Sequence, residues 1–412
     1  MNDLNVGIDL DNRKLSVLLY ADDIAILAKS ELDLQCMLDK LHQWCKRWRV
    51  LINTEKSKCI HFRKGKSKQT EFNFTVGRNQ LELVSEYKYL GITFSYNGSF
   101  LSNVDLLAKS GGRALGNIIA KIHNIKDFGY KSYEKLFNSC IVPILDYSSG
   151  VWGYRKYQSI DNIQNRAIRY YLGVHRFAPI LAIHGDIGWI PSQYRRWINM
   201  VRYWNRLIRF DNNRITKLAF NIDYDRCKSN WCSEVKDILD QLELGHFYEL
   251  KSEVYLSLVE TNIFRLYSDI WRNSVQEVSK LRTYRNFKTV FETENYVNLN
   301  LSKIERSHLA QFRSGILPLR VETGRYSNES VEERLCIFCK NQETETEFHF
   351  MFDCPLYIEC RVNFFGKLLI EKNFTDLNHA DKLNFLMSFH IRKLAKYIVR
   401  AFHIRRQLLY NT

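Results

Sequence analysis

Two apolar runs, Val17–Tyr20 and Ile24–Ala28, stand close together near the start of the chain, with only Ala21, Asp22 and Asp23 between them. Runs of this length without alternation read as strands covered on both faces, and a small residue followed by two aspartates reads as a tight turn. A hairpin is therefore predicted over residues 15–28. The period then changes. Leu34, Leu38, Leu41, Cys45 and Trp48 recur at helical spacing, with Lys40, Gln43, Lys46 and Arg47 between them, so an amphipathic helix is expected before Asn53. Short strand-like runs come next, at Lys58–Phe62, Phe72–Val76, Gln80–Val84 and Lys88–Thr93.

Beyond Gly98 the pattern is mostly helical. Ile160, Ile163, Ala167 and Tyr170 share one face of a helix that ends near Gly173. A longer helix begins after Pro191. It sets Trp197, Met200, Val201, Trp204 and Ile208 on one stripe and Arg195, Arg202, Arg206 and Arg209 on another, nearly opposite. Residues 216–300 are amphipathic and carry no further signal. A basic helix over about 391–407 closes the chain, with Arg392, Lys396 and Arg400 at i, i+4 spacing. The fold class predicted is α+β. There is no internal repeat and no low-complexity segment, and five prolines leave the domain boundaries soft.

Composition narrows the classes of function. The 412 residues are 45% hydrophobic and 14% aromatic, which suits a globular chain of two or three domains. Lys and Arg outnumber Asp and Glu by 60 to 45, a net +15 that favours a polyanionic partner, most often nucleic acid. No run of about 18 apolar residues exists to span a membrane. The opening "MNDLNVGIDLDNRK" is polar and acidic, unlike a secretory signal or a basic transit peptide. Ten cysteines, scattered apart from one cluster, point to a reducing compartment and an intracellular protein.

Two constellations carry chemistry. Adjacent carboxylates between apolar strands cost several kcal/mol to bury without a neutralising partner. At a hairpin tip they are either ordinary turn residues or ligands for Mg²⁺, a hard ion that prefers carboxylate oxygens and leaves room for substrate phosphates. The second is Cys336-x2-Cys339-x9-His349-x4-Cys354, whose soft ligands suit a tetrahedral structural Zn²⁺; without metal they are buried thiols and an imidazole. Glu343, Glu345 and Glu347 make the intervening loop acidic, which argues against phosphate contact by the loop itself, and Cys360 is a substitute ligand outside the pattern. The arginine stripe is either a solvated helix face or a set of phosphate contacts, since guanidinium groups meet phosphate bidentately.

"YADD" between two apolar strands resembles the catalytic hairpin of reverse transcriptases, and the resemblance continues in order. "LQCMLDKLHQWCKRWRVLINTEKSKCIHFRK" is similar to the palm helix and motif D strand of LINE-type non-LTR retrotransposon polymerases. "EYKYLGITF" resembles their motif E, the primer grip. "SCIVPILDYSSGVWG" and "IDNIQNRAIRYYLGV" resemble their helical thumb and the region just beyond it, and "LCIFCKNQETETEFHFMFDCPLY" their C-terminal zinc knuckle. The likeness covers roughly residues 1–210 and 300–360.

The resemblance implies RNA-directed DNA synthesis with two Mg²⁺ ions, an RNA template and a DNA primer or target, in nucleus and cytoplasm. Asp22 and Asp23 take the place of the metal-binding pair. Tyr20 and Ala21 lie where the primer terminus would touch the tip. Lys56 sits in the motif D region, where a lysine could protonate the leaving pyrophosphate, with Lys58 as the competing candidate. Tyr89, Leu90 and Gly91 match the primer grip, with Gly91 allowing backbone to approach backbone. The stripe Arg195, Arg202, Arg206 and Arg209 falls just beyond the thumb, where it would track an RNA–DNA duplex or element RNA. The segments expected are a partial palm at 1–97, a thumb and connector at 98–215, a helical region at 216–300, a zinc-knuckle region at 301–365 and the basic C-terminal helix at 366–412.

A complete palm also has an upstream strand with another catalytic aspartate, and fingers. Only 19 residues precede Tyr20, and Asp3, Asp9 and Asp11 lie in what reads as a lead-in loop. The expectation is a C-terminal part of a reverse transcriptase, inactive alone as a polymerase; the alternative is a non-catalytic remnant that holds element RNA or target DNA.

Overall fold

The computed structural model describes residues 6–11, 13–125 and 128–410. Its secondary structure is mainly helical, with short strand pairs confined to the first hundred residues, and the α+β class holds. The chain forms two compact units. The first takes residues up to Leu107, Asp146–Tyr157 and Arg196–Val259; the second takes Ala108–Leu145, Gln158–Arg195 and Glu260 onward.

In the first unit, β1 (Ile8–Leu10) and β2 (Arg13–Leu15) form an antiparallel pair, followed by β3 (Val17–Tyr20) and β4 (Asp23–Ile26). Helix α1 (Glu31–Trp48) starts where Ser30 accepts a hydrogen bond from the Asp33 amide at 3.1 Å, and stops where Arg49 turns left-handed at φ +54°. Its buried face, with Leu38 and partly buried Leu34, packs against Cys59, Phe74, Val76 and Leu81, and Ile26 anchors the base of the hairpin there. The next strands are short: β5 (Lys58–Cys59) runs parallel to β8 (Glu82–Leu83), and β6 (Thr75–Val76) pairs with β7 (Asn79–Gln80). The run expected as one strand at Gln80–Val84 is thus shared between β7 and β8. Trp48, expected on the packed face of α1, is 63% exposed because it lies in the last turn, past the strands that cover Leu38.

The run Lys88–Thr93 is not one strand. It is β9 (Glu86–Tyr89) and β10 (Ile92–Ser95), joined by a two-residue turn in which Leu90 and Gly91 both have positive φ, +49° and +83°. Positive φ at both central residues is the geometry of a type I′ turn, whose twist matches that of the flanking strands. The buried Asn103 side chain accepts from the Thr93 amide at 3.0 Å and ties β10 to α2 (Leu101–Ile122).

On the helix Ser192–Arg209 the apolar stripe is buried at Trp197, Met200, Val201 and Trp204 and half-buried at Ile208. In the first unit Trp204 stacks on Tyr248 with ring centroids 5.1 Å apart and meets Phe220 edge-on at 5.2 Å. Beside it Arg196 is fully buried, its guanidinium 4.0 Å from Asp146 and close to the rings of Trp152 and Tyr157.

The second unit is built on Ala182, Tyr267, Trp271, Tyr284 and Phe291, and on the helices Gln158–Leu172, Lys303–Arg313 and Ile391–Tyr410. Buried charge is neutralised in place. Arg313 forks onto Asp186 at 2.9 and 2.8 Å and reaches Glu294 at 3.1 Å, while Tyr284 and Tyr296 donate to the same Asp186 carboxylate at 3.1 and 2.7 Å.

His184 is buried in this unit, its ring nitrogens 2.7 Å from the Trp189 carbonyl and 2.7 Å from the Asn165 side chain. Burial pushes its pKa down to about 4. The unfolded chain takes up this proton near pH 6.5, the folded chain only near pH 4, so the unfolded state binds more protons in between. The stability is full above pH 6.5 and falls as the pH drops toward 4. Thermal melts at pH 7 and pH 5 are expected to differ by about 2 kcal/mol more for the wild type than for His184→Gln. Equal pH slopes for the two chains would sink this assignment.

Candidate functional site

The hairpin tip is defined by its register. Tyr20 pairs with Asp23, leaving Ala21 and Asp22 as the loop, and Ala21 sits at φ +53°. An L-residue there costs about 1–2 kcal/mol, a strain that the pairing of β3 with β4 offsets. The strands were expected to be buried on both faces, and they are not. Leu19 is 71% and Tyr20 64% exposed, and Leu18 and Ile24 are also exposed, because among the described residues β3 and β4 pair only with each other. Asp22 and Asp23 both face solvent, with no ion-pair partner among the described residues. The cost of burying them is therefore avoided by exposure.

Mg²⁺ takes one or two carboxylates and completes its shell with water and substrate phosphate. The Asp22–Asp23 pair, exposed at the tip, supplies the carboxylate oxygens that one such ion takes. No third metal-ligating side chain joins the pair among the described residues. A two-ion arrangement is not assembled by these groups, and no two-ion step can be derived from them. The lead-in segment explains part of this. It is the β1–β2 hairpin instead of a loop, and Asp9 within it is held by Lys14 and Lys29. Asp11 sits in the turn, and Asp3 lies outside the described residues.

Lys56 and Lys58 separate cleanly. Lys58 pairs with Glu82 at 2.7 Å, so its ammonium is occupied. Lys56 is exposed and has no carboxylate partner among the described residues; its amide donates to the Asn53 side chain at 3.1 Å, and its carbonyl accepts from the Tyr87 hydroxyl at 2.9 Å. That last bond links the Lys56 turn to the β9–β10 hairpin. In that hairpin Tyr89 is half-buried and Leu90 exposed, not strand core, and the Tyr147 hydroxyl donates to the Leu90 carbonyl at 3.1 Å. A Cβ at Gly91 would lie 2.9 Å from the Tyr147 ring, so this glycine makes room for a side chain and not for another backbone.

The arginine stripe has three members. Arg202, Arg206 and Arg209 are exposed, and Arg209 forms an exposed pair with Glu253 at 3.1 Å. Arg195 is half-buried and bonded to Gln164, which removes it from the solvent face. The neighbouring Arg196, passed over by sequence reasoning, is the buried one; its partners Asp146 and Trp152 lie more than 40 residues earlier and left no local signal.

In the second unit the ligand atoms of Cys336, Cys339, His349 and Cys354 all lie within 4.8 Å of one another, and Cys360 is not among them. Cys336 and Cys354 sulfurs are 3.9 Å apart, and Cys339 Sγ lies 3.4 Å from His349 Nε2. A tetrahedral Zn²⁺ with ordinary bond lengths needs edges of about 3.8 and 3.6 Å, so the four residues fit it. An antiparallel bridge between Leu335 and Thr344 closes the loop over the first two cysteines. The contact between the two sulfurs lowers the pKa of the Cys336 thiol and, with burial, raises that of Cys354.

Two of the three glutamates in this loop are turned inward, and Glu343 is exposed. Glu343 binds His349 Nδ1 at 2.8 Å and so fixes the tautomer that leaves Nε2 for metal. Glu345 is buried and accepts both prongs of Arg405 at 2.9 and 2.8 Å. Glu347, also buried, accepts from Arg282 at 2.6 Å and Thr283 at 3.0 Å. Their charge is spent inside the unit. On the helix Ile391–Tyr410, Arg392, Lys396 and Arg400 are exposed, while Arg405 turns inward to Glu345. No helix among the described residues is long and apolar enough to cross a membrane.

Comparison with known proteins bears on the hairpin first. Residues 1–94 match the family described as reverse transcriptase (RNA-dependent DNA polymerase). A putative uncharacterized transposon-derived protein of Caenorhabditis elegans is 28% identical over 147 residues, 36% of this chain and 52% of that protein. The probable RNA-directed DNA polymerase from transposon BS of Drosophila melanogaster is 25% identical over 208 residues, covering 48% of this chain and 23% of the polymerase. The RNA-directed DNA polymerase from the mobile element jockey of the same fly is 28% identical over 226 residues, 51% of this chain and 24% of that one. The matches thus span about half of the first relative and about a quarter of the two polymerases. Residues 1–94 thus match the reverse transcriptase family, and part of the chain is similar to RNA-directed DNA polymerases of Drosophila mobile elements.

Proposed function

We propose that this chain serves RNA-templated DNA synthesis by holding an RNA template with its DNA primer and presenting Asp22 and Asp23 to Mg²⁺. The observation that carries the reading is the exposed, unpaired carboxylate pair at a strained hairpin tip, inside the segment that matches the reverse transcriptase family. Lys56 is the proton donor this reading prefers over Lys58, whose ammonium is held by Glu82. Tyr20 and Ala21 beside the pair, and the turn Tyr89–Leu90–Gly91, are the primer contacts. Arg202, Arg206 and Arg209 meet the duplex backbone. The Cys336, Cys339, His349 and Cys354 group holds a structural Zn²⁺ that folds its loop onto the C-terminal helix.

Two carboxylates supply only part of the charge that phosphoryl transfer needs, and the effect of such a site is mainly electrostatic. The chain by itself is therefore proposed to bind primer–template while incorporating nucleotides below detection. The holding of nucleic acid without catalysis is then the activity it shows alone.

Primer extension on an RNA template with Mg²⁺ tests this, run beside a binding assay and repeated with Asp22→Asn/Asp23→Asn. Bound primer–template without extension is the expected result. Extension that disappears in the double variant would overturn the claim that two carboxylates are too few. Absence of binding would overturn the role itself.

A further inference from the structure

The second unit contains a cleft of about 670 Å³ that none of the groups above uses. It lies between the C-terminal end of α2, the helix Gln158–Leu172 and the segment that leads into the helix Lys303–Arg313. Its size falls within the range of about 300–1,000 Å³ typical of sites for small organic groups. Three tyrosines line it. Tyr133 and Tyr171 stack with centroids 5.1 Å apart, and their hydroxyls are tied to the Ala167 and Val297 carbonyls at 2.8 and 3.1 Å. Tyr170 differs: it is half-buried, and its hydroxyl has no partner among the described residues.

Two cations stand over this aromatic floor. The Arg306 guanidinium lies 4.3 Å from the Tyr171 ring centroid, and the Lys303 ammonium 5.4 Å from that of Tyr170. Arg306 spends one donor, Nε to the Tyr171 carbonyl at 2.8 Å, and neither cation has a carboxylate partner among the described residues. Side-chain amides complete the lining at Asn124, Asn298 and Asn300, and no carboxylate lines the cleft among the described residues. An anion with a flat, hydrogen-bonding ring satisfies all three features. Aromatic faces take a base of any sequence, cations take its phosphate, and amides meet its edge.

We propose that this cleft binds an unpaired nucleotide of a single-stranded polynucleotide, with the base against Tyr170 and the phosphate at Lys303 and Arg306. The proposal rests on the reading that the chain binds nucleic acid, and adds to it a site for single strands distinct from the duplex contacts of the first unit.

The test uses the full chain, an oligouridylate RNA, its oligothymidylate DNA counterpart and an RNA–DNA hybrid duplex, each followed by fluorescence anisotropy from 50 to 200 mM salt. Lys303→Gln/Arg306→Gln is expected to weaken single-strand binding about tenfold and to reduce the salt slope by about 1.4, the contribution of two released counterions. Tyr170→Leu is expected to weaken it by a similar factor with the slope unchanged, because stacking releases no counterion. Hybrid affinity stays within about twofold in both variants, which separates a lost site from a lost fold. Equal losses for RNA and DNA support recognition of base and phosphate alone; a loss confined to RNA supports an added 2′-hydroxyl contact. If the wild type binds single strands and both variants bind them equally well, the cleft is not the site. If the wild type binds no polynucleotide at all, the proposed function fails first and this inference with it.

Discussion

Chelation of zinc from the Cys336–Cys354 module is expected to unfold residues from about 334 to 361 while the first unit keeps its structure. Structural zinc contributes about 10–16 kcal/mol to the folding of small Cys/His modules at neutral pH, more than the local hydrogen bonds here can replace. The segment is tied to the rest of its unit by the buried Phe350 ring against Phe312 and Tyr397, by the Tyr397 hydroxyl donating to the Phe350 carbonyl at 3.0 Å, and by the Glu345–Arg405 fork. Each depends on backbone that the metal holds in place. Loss of metal should therefore open Arg361, buried in the folded unit, to trypsin. Glu343→Ala keeps the four ligands and removes the group that orients His349, so zinc affinity should fall about 10- to 100-fold without abolishing binding. Metal analysis of the purified chain, then timed proteolysis with and without chelator, checks both. A metal-free chain with an unchanged cleavage pattern would refute the assignment.

Arg313→Met is expected to destabilise the second unit by about 3–5 kcal/mol. The change removes the only cation that forks onto Asp186 among the described residues and leaves a buried carboxylate with two tyrosine hydroxyls but no opposite charge. Adding Asp186→Asn should recover part of the loss, because the amide oxygen still accepts from Tyr296 and no buried charge remains. Denaturant melts of the two chains measure the difference. If the double variant is no more stable than Arg313→Met alone, burial of charge is not what makes the site sensitive.

The sequence made local features legible and hid those that depend on distant partners. The hairpin and the helix after it were readable because each is set by residues within a few positions. The four zinc ligands were readable for the same reason, since two of three spacings are short. Burial of the hairpin was misjudged: an apolar run shows that a strand could be covered, not whether another element covers it, and Leu19 and Tyr20 are exposed. The break at Leu90–Gly91 was missed because leucine rarely takes positive φ and β-forming residues flank it on both sides. Glu345 and Glu347 looked like a solvated acidic loop, yet their arginines lie 60 and 65 residues away. The pairing of Asp186 with Arg313 spans 127 residues and left no pattern at all. Arg195 and Arg196 are neighbours on one helix, and only the tertiary packing decides which turns to Gln164 and which is enclosed by Asp146, Trp152 and Tyr157.

The central claim is that this chain holds primer and template, and the most direct measurement is the affinity for an RNA–DNA hybrid as salt is raised from 50 to 200 mM. For the wild type a steep, linear fall of log affinity with log salt is predicted, with little dependence on sequence. Replacing Arg202, Arg206 and Arg209 by alanine should weaken binding at every sequence and reduce the slope by about 3. No binding at 50 mM salt, or an affinity that does not respond to salt, would contradict the account.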